Sequence, residues 1–362
     1  MRVVRYLTAT VVLVCVWLSA TPACGQSRVT IQLSLKGETV EGMPLEWSER
    51  SVLLLGRDGH LWDFHPAEAA DFRKAFDGFR PYSIAQMRAM LLKEFGRGFQ
   101  VSGAGHYLVA HPAGSRDPWA KRFDELYRSY TQYFTARGFR PQPPEFPMVA
   151  VVFPNQLQFA AYSRKIGAPT GRGVLGYYSS ESNRIVMYDT GGGQQSASAW
   201  QVNADTIVHE ATHQLAYNTG VHRRMAHTPL WVAEGLATLF EAPGIWDSRS
   251  HPTQADRINQ GRLAGYRRHD ATRSEDTLKA LIISNAPFKQ NAKAAYAESW
   301  ALTFYLSESR PKQYFQYLGK TAERPEGTPY PAQERAKDFT DIFGRDWRML
   351  HANLTRFIAK QP

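Results

Sequence analysis

Apolar and polar residues alternate along the first part of the chain, as they do in β-strands. The alternation runs through residues 28–65, and glycine-containing turns interrupt it at Lys36-Gly37-Glu38 and Arg57-Asp58-Gly59. An Asp-Gly pair between two apolar runs favours a tight hairpin, because both residues tolerate the positive φ angles that such turns need. We therefore predict a small β-rich module over residues 26–80.

The pattern becomes mixed after this module. Ile84–Phe95 has the spacing of an amphipathic helix that ends at Gly96, and Pro118–Arg137 carries aromatic residues at helical spacing, which indicates a helix packed on the core. The remaining apolar runs predict strands: one over residues 99–112, one at Met148–Phe153, and a hairpin over Gly173–Asp189 with its turn at Ser179–Asn183.

A loop rich in Gly, Gln and Ser follows at residues 190–198, and from Trp200 onwards the pattern is mostly helical. A strand-rich front, a mixed middle and a helical end indicate an α+β fold, not a doubly wound sheet.

The N-terminal residues have the order of a secretory signal peptide. Two arginines in Met1–Arg5 precede the apolar run Tyr6–Ala20, and small residues follow. We predict a signal peptide over residues 1–25, with cleavage after Ala23 or Gly25 both open and lipoprotein processing before Cys24 as an alternative. The expected location is secreted, periplasmic or in the cell envelope.

Cysteine content and charge narrow the function classes. Of the two cysteines, Cys15 lies inside the predicted signal, so no disulfide is expected within the mature chain. The net charge of +10 is spread along the chain without an interleaved basic and aromatic pattern, so we expect no nucleic-acid partner. Nor do we expect a stable transmembrane segment after signal cleavage, because no other apolar stretch is long enough.

The strongest chemical signal is the pattern His209-Glu210-Ala211-Thr212-His213. In a helix, residues four apart lie on the same face, so His209 and His213 can bind one metal ion. Glu210 is rotated by about 100° from His209 and lies beside such an ion, where it can act as a general base toward water. Gly220 is a plausible end for this helix.

A catalytic zinc site needs a third protein ligand. The metzincin pattern requires Gly and His at the positions that Ala216 and Thr219 occupy, so that class is excluded. The alternative third ligand is a glutamate from a following helix, and Glu234 is in a position to supply it. Thr228 is the predicted N-cap of that helix and Pro229 its first residue.

The HEATH segment followed by WVAEGLATLFE resembles the gluzincin peptidases, in particular their aminopeptidase-like branch. It is also similar to secreted bacterial gluzincin-like proteins with a small β front. The resemblance covers roughly residues 200–306. It implies Zn²⁺ held by His209, His213 and Glu234, Glu210 as the general base, and a peptide or protein substrate. It also implies a zincin-like metallopeptidase domain over residues 81–362, with its core at 148–310.

The chain departs from that branch at three points. The gap between His213 and Glu234 is slightly longer than in the aminopeptidases. Ala233 stands where the family usually has Asn, and the Gly-x-Met-Glu-Asn motif that holds a substrate's free amine is missing, which argues against strict aminopeptidase activity. Tyr296, before a predicted helix, is comparable in position to the family's transition-state tyrosine. His222, His227 and Tyr217 are weaker candidates for that role.

Further site residues are predicted around this set. Asp205 lies one turn before His209 and Glu241 two turns after Glu234, where either can orient a ligand. The resemblance also implies that an edge strand of the Gly173–Asp189 hairpin binds extended peptide, with Tyr177 and Tyr178 along it.

Two functions fit the sequence. The first is an exported zinc metallopeptidase. The second is a non-catalytic, envelope-associated binding or scaffold protein that retains a structural metal site. Glu210 favours the enzyme, because a purely structural site does not need a base.

Overall fold

The computed structural model describes residues 29–114, 119–168, 171, 173–191, 197–270 and 273–362, and only the backbone for residues 197–201. The predicted signal peptide, including Cys24, lies outside the described residues. The fold is α+β, as the sequence predicts, with two sheets in the first half of the chain and a mostly helical second half. Within the described residues, every helix is too short or too polar to cross a membrane.

The first sheet contains five antiparallel strands in the order β4-β3-β2-β1-β5. The turn at Lys36 and Gly37 has φ of 51° and 84°, and Gly59 in the second predicted turn has φ of 86°. Both predicted turns are therefore confirmed, as is the hairpin predicted at Asp58-Gly59. The strands are β1 (Val29–Leu35), β2 (Glu38–Trp47), β3 (Val52–Gly56), β4 (Leu61–Phe64) and β5 (Ala69–Asp77).

Strand β5 was not predicted. It lies at the edge of the sheet and is exposed at nearly every position, so it lacks the apolar alternation that marks a strand in sequence. Its pairing with β1 is also irregular, with register shifts at two points. Pairing with β1 stabilises this strand more than burial of its own side chains does.

The second sheet is mixed, in the order β6-β7-β8-β10-β9. Strand β8 pairs in parallel with β7 and β10, while β6 and β9 are antiparallel edge strands. The elements in this region are α1 (Ile84–Phe95), β6 (Phe99–Ala104), β7 (Tyr107–Pro112), α2 (Trp119–Thr135), β8 (Met148–Phe153), α3 (Gln156–Lys165), β9 (Gly176–Ser179) and β10 (Arg184–Tyr188).

Ten helices follow in the described residues, and the predicted metal-binding motif lies in the first of them. They are α4 (Ala197–Asn218), α5 (Leu230–Phe240), α6 (Pro243–Trp246), α7 (Gln260–Arg268), α8 (Glu275–Ile283), α9 (Ala286–Gln290), α10 (Ala292–Ser309), α11 (Pro311–Ala322), α12 (Ala332–Phe343) and α13 (Trp347–Ala359).

Both faces of the second sheet are covered. On β8, Met148, Ala150 and Val152 face a core shared with α2, α4, α5 and α10, whereas Val149 and Val151 face a second core with α1 and α3. Successive residues of a strand point to opposite faces, so a strand buried on both sides reads as a continuous apolar run. This is why the strand prediction at Met148–Phe153 is correct.

The structure corrects several predicted boundaries. The single strand expected over residues 99–112 is a hairpin of β6 and β7 that turns at Gly105, where φ is 53°. The loop expected to reach residue 198 ends earlier, because α4 begins at Ala197. Thr228 is not the N-cap of α5; Pro229 takes that position and the helix starts at Leu230. Helix α3 was not predicted.

Candidate metal centre

The two histidines of the motif lie on one face of α4. Their Nε2 atoms are 3.3 Å apart, and their ring centroids are 4.9 Å apart. This proximity follows from the helix, because side chains four residues apart stand one above the other. The helix ends as predicted before Gly220, whose φ of 82° suits a helix C-terminus.

Helix α5 brings Glu234 to the same point. Its Oε2 atom lies 3.4 Å from Nε2 of His209 and 3.5 Å from Nε2 of His213. Burial opposes a charge on Glu234, but the two imidazoles outweigh burial and hold its pKa below the usual range. Glu234 is therefore a carboxylate, the form that binds metal ions.

A close helix contact sets the position of Glu234. At the neighbouring Gly235, a Cβ atom would overlap Oγ1 of Thr303 and lie 2.8 Å from the carbonyl oxygen of Ser299, both on α10. Glycine thus permits α5 and α10 to approach each other more closely than any other residue would. The helix that carries the third predicted ligand is held by this contact.

The three donor atoms fit a zinc ion. Ligand atoms bound at about 2.0–2.1 Å in a regular tetrahedron lie about 3.3–3.4 Å apart, and zinc binds imidazole nitrogen and carboxylate oxygen at those lengths. The observed separations of 3.3, 3.4 and 3.5 Å match one face of such a tetrahedron. Oε2 of Glu234 is also buried without a hydrogen-bond partner, a costly state that a metal ion would relieve. The described residues contain one cluster of potential metal ligands, these three.

Glu241 orients His209 from behind. Its Oε1 atom lies 2.8 Å from Nδ1 of His209, and its two oxygens also accept hydrogen bonds from Arg262 and Asn259. Burial alone would raise the pKa of Glu241, but the contacts with His209 and Arg262 lower it to about 2. Since a carboxylate can only accept, Nδ1 of His209 carries a proton, which leaves Nε2 as the ring atom that would bind a metal ion.

Glu210 lies beside the three donor atoms and is held by the second sheet. Its Oε2 atom accepts a hydrogen bond of 2.8 Å from the backbone N–H of Tyr178 on edge strand β9. Close approach of β9 to α4 permits this bond, because a Cβ atom at Gly176 would lie 3.0 Å from Cγ2 of Thr206. The carboxylate is thus fixed next to the site without being one of the three donors.

Tyr296 reaches the site from α10. It lies within the first turns of that helix, not before it as the sequence suggested. Its ring contacts Phe288 at 5.5 Å between centroids. Burial and the carboxylates of Glu234 and Glu210 raise the pKa of Tyr296, so its hydroxyl keeps its proton and can donate a hydrogen bond.

The structure separates the two tyrosines expected along the hairpin. The hydroxyl of Tyr177 lies 3.0 Å from Oγ of Ser163, and its ring packs on Phe159, on the face of the sheet away from α4. Tyr178 donates from its hydroxyl to Asn183 at 2.8 Å and stacks on Tyr217. Only Tyr178 therefore contacts the side of the sheet that carries the site, and it binds Glu210 through its backbone.

The other candidates lie outside the three-donor cluster. Asp205 is exposed on α4, and its charge acts on Arg122 of α2. His222 is buried with Nδ1 at 2.9 Å from the carbonyl oxygen of Val221. Sequence reasoning missed Asn259 and Arg262, which bind Glu241; Asn259 is also the N-cap of α7, the one local signal it carries.

Comparison with protein families gives one match. Residues 203–326 match the family described as "Protein of unknown function (DUF1570)". This segment includes the three donor residues, Glu210, Glu241 and Tyr296. No curated protein matches the chain.

Comparison with solved structures gives distant likenesses. The M1 zinc metallopeptidase from Deinococcus radiodurans is 15% identical, with a TM-score of 0.38, over 70% of this chain and 48% of that one. A variant of that enzyme with a Tyr-Ser-Ala substrate is 14% identical, with a TM-score of 0.39, over 73% and 52%. The chain therefore spans about half the length of these structures. At this distance the likeness assigns no activity.

Proposed function

We propose that this protein is a zinc-dependent peptidase that hydrolyses peptide bonds. The proposal rests on the triangle of donor atoms from His209, His213 and Glu234. Glu210 lies next to this triangle but is not part of it. Three ligands leave one position of a tetrahedral zinc open, as catalytic sites require.

Zinc bound at this site would polarise the scissile carbonyl and acidify water. Glu210 then takes the proton from the attacking water and passes it to the leaving amine. The neutral hydroxyl of Tyr296 donates a hydrogen bond to the carbonyl oxygen as negative charge develops on it. Glu241 keeps His209 in the tautomer that binds metal.

The geometry around Glu210 favours catalysis over a structural metal site. A structural site is closed by its ligands and gains nothing from a carboxylate held nearby by a backbone amide. In this chain the bond from Tyr178 fixes Glu210 without involving it in the donor triangle.

We propose further that the protein acts outside the cytoplasm and that residues 81–362 form its peptidase domain. The first proposal rests on the order of charged, apolar and small residues at the N-terminus. N-terminal sequencing of protein purified from the native cell envelope or medium tests it. A mature chain that still begins at Met1 would refute it.

The catalytic proposal is tested by zinc content and by one substitution. Elemental analysis of purified protein should give one zinc per chain. Wild type should cleave a denatured protein substrate, and Glu210→Gln should lower the rate about 10³-fold or more while it retains zinc. Glu275→Gln, at an exposed position on α8, is the matched control. Protein without zinc, or equal cleavage by wild type and Glu210→Gln, would overturn the proposal.

A further inference from the structure

The first sheet contacts the hairpin that supports Glu210. The turn of the β3–β4 hairpin meets the turn of the β9–β10 hairpin, where the N–H of Leu61 donates to the carbonyl of Glu181 at 2.8 Å. Gly59 packs so tightly that a Cβ atom there would lie 3.1 Å from the ring of Phe146 and 3.3 Å from Nδ2 of Asn183. The two turns therefore form a packed interface.

One arginine joins this interface to the segment between the metal-binding helices. Arg224 lies in the connector from α4 to α5, between the predicted ligands His213 and Glu234. Its Nε donates to the carbonyl of Ser180 at 2.9 Å, and its Nη2 donates to the carbonyls of Glu181 at 3.1 Å and Gly59 at 2.7 Å. The planar fork of a guanidinium can satisfy several carbonyls at once, which an ammonium group does less well.

Side chains of α4 also hold the turn of the β9–β10 hairpin. Nε2 of Gln214 donates to the carbonyl of Asn183 at 2.8 Å, and the side chains of Asn183 and Asn218 bind each other at 2.7–2.8 Å. The hydroxyl of Tyr178 also donates to Asn183. These bonds set the position of β9, whose backbone N–H at Tyr178 holds Glu210.

We propose that Arg224 is a positioning residue for catalysis, which sets the place of Glu210 by holding the β9–β10 hairpin against the first sheet. The first sheet is then part of the catalytic assembly, because Gly59 supplies one of the carbonyls that Arg224 binds. This inference rests on the proposed peptidase function. Its physical basis is that a shift of about 1 Å in a catalytic group can lower the rate about 100-fold.

Kinetics of the full-length, zinc-loaded protein test the proposal. Arg224→Gln should lower kcat about 10- to 100-fold, and any change in KM should be smaller than the change in kcat, because Glu210 acts in the chemical step. Arg224→Lys, which keeps the charge but has fewer N–H donors and lacks the planar fork, should restore part of kcat. Arg223→Gln is the matched control: Arg223 is the neighbouring residue, exposed, with its nearest carboxylate, Glu326, at 3.8 Å. It should behave as wild type.

Amide hydrogen exchange separates positioning from general destabilisation and does not depend on activity. In Arg224→Gln, residues 176–183 should exchange faster while the interior of α4 keeps its protection. Unchanged exchange of 176–183, or a fall in kcat no larger than the loss of folded protein, would overturn the positioning role. If wild type cleaves no substrate, the peptidase proposal fails, and the exchange experiment still decides whether Arg224 holds the hairpin.

Discussion

Nδ1 of His209 lies 2.8 Å from Oε1 of Glu241, and this contact links the donor cluster to a wider set of polar residues. Arg262 and Asn259 bind the same carboxylate, and the guanidinium of Arg262 lies 5.2 Å from the ring centroid of Tyr296. Glu241 thus keeps a proton on Nδ1 of His209. Arg262 contacts both Glu241 and Tyr296, the residue proposed to stabilise the oxyanion.

Replacing Glu241 should weaken zinc binding. Glu241→Gln keeps the shape of the side chain but removes the charge that orients His209, so we expect zinc affinity to fall about 10- to 100-fold. Competition with a chromophoric chelator measures it. Glu308→Gln removes a carboxylate paired with Arg257, and it should leave the affinity unchanged. Equal affinities for Glu241→Gln and wild type would contradict the orienting role.

Loss of the Tyr296 hydroxyl should slow catalysis without loss of metal. We expect Tyr296→Phe to lower kcat about 100- to 1000-fold, as removal of an oxyanion donor does, with zinc content unchanged. Steady-state kinetics together with elemental analysis measure both quantities. Tyr305→Phe, a buried tyrosine on the same helix, serves as the control. A Tyr296→Phe enzyme with normal kcat would exclude the hydroxyl from the reaction.

His222 should make the protein less stable in acid. Burial, with a smaller contribution from the charge of His213, lowers its pKa to about 3 in the folded state, against 6.5 when unfolded. Below pH 6.5 the unfolded chain takes up a proton that the folded chain does not. The free energy of unfolding therefore falls as pH falls, by up to about 1.4 kcal/mol per unit down to roughly pH 3, where the loss is complete.

Urea denaturation of metal-free protein at pH 7, 6 and 5 measures this dependence without interference from zinc release. His222→Asn keeps a donor close to the position of Nδ1 but does not titrate. Its free energy of unfolding should depend less steeply on pH than that of wild type. Parallel dependences for the two proteins would show that His222 is not the group responsible.

The contact between α5 and α10 should tolerate no side chain at Gly235. A methyl group there would overlap Thr303 and approach the backbone of Ser299, so Gly235→Ala should cost about 1–3 kcal/mol and lower the Tm. Gly319→Ala on α11 is the matched control, because no atom lies within 4 Å of a Cβ there. That variant should gain up to about 1 kcal/mol. Thermal unfolding of the two variants measures both effects. If Gly235→Ala had the Tm of wild type, the two helices would be able to move apart to accommodate the methyl group.

The sequence-based predictions succeeded where the signal comes from residues close together in the chain. The i, i+4 spacing of His209 and His213, the end of α4 at Gly220 and the hairpin turn at Gly59 depend on neighbours in the chain, and the structure agrees with all three. Strand β5 escaped prediction because its pairing with β1, not its own pattern, stabilises it.

By itself, the sequence determined that two imidazoles share one helix face and that a carboxylate follows on a second helix, since helical geometry is a local property. Only the tertiary structure decided the distances that matter chemically. The Glu234 oxygen lies 3.4 Å and 3.5 Å from the two imidazole nitrogens because α5 packs against α4, and the close contact at Gly235 holds α5 against α10 on its other side. The backbone of Tyr178 reaches Glu210 because a strand packs against α4. Such contacts join residues far apart in the chain, and they depend on packing that no local pattern encodes.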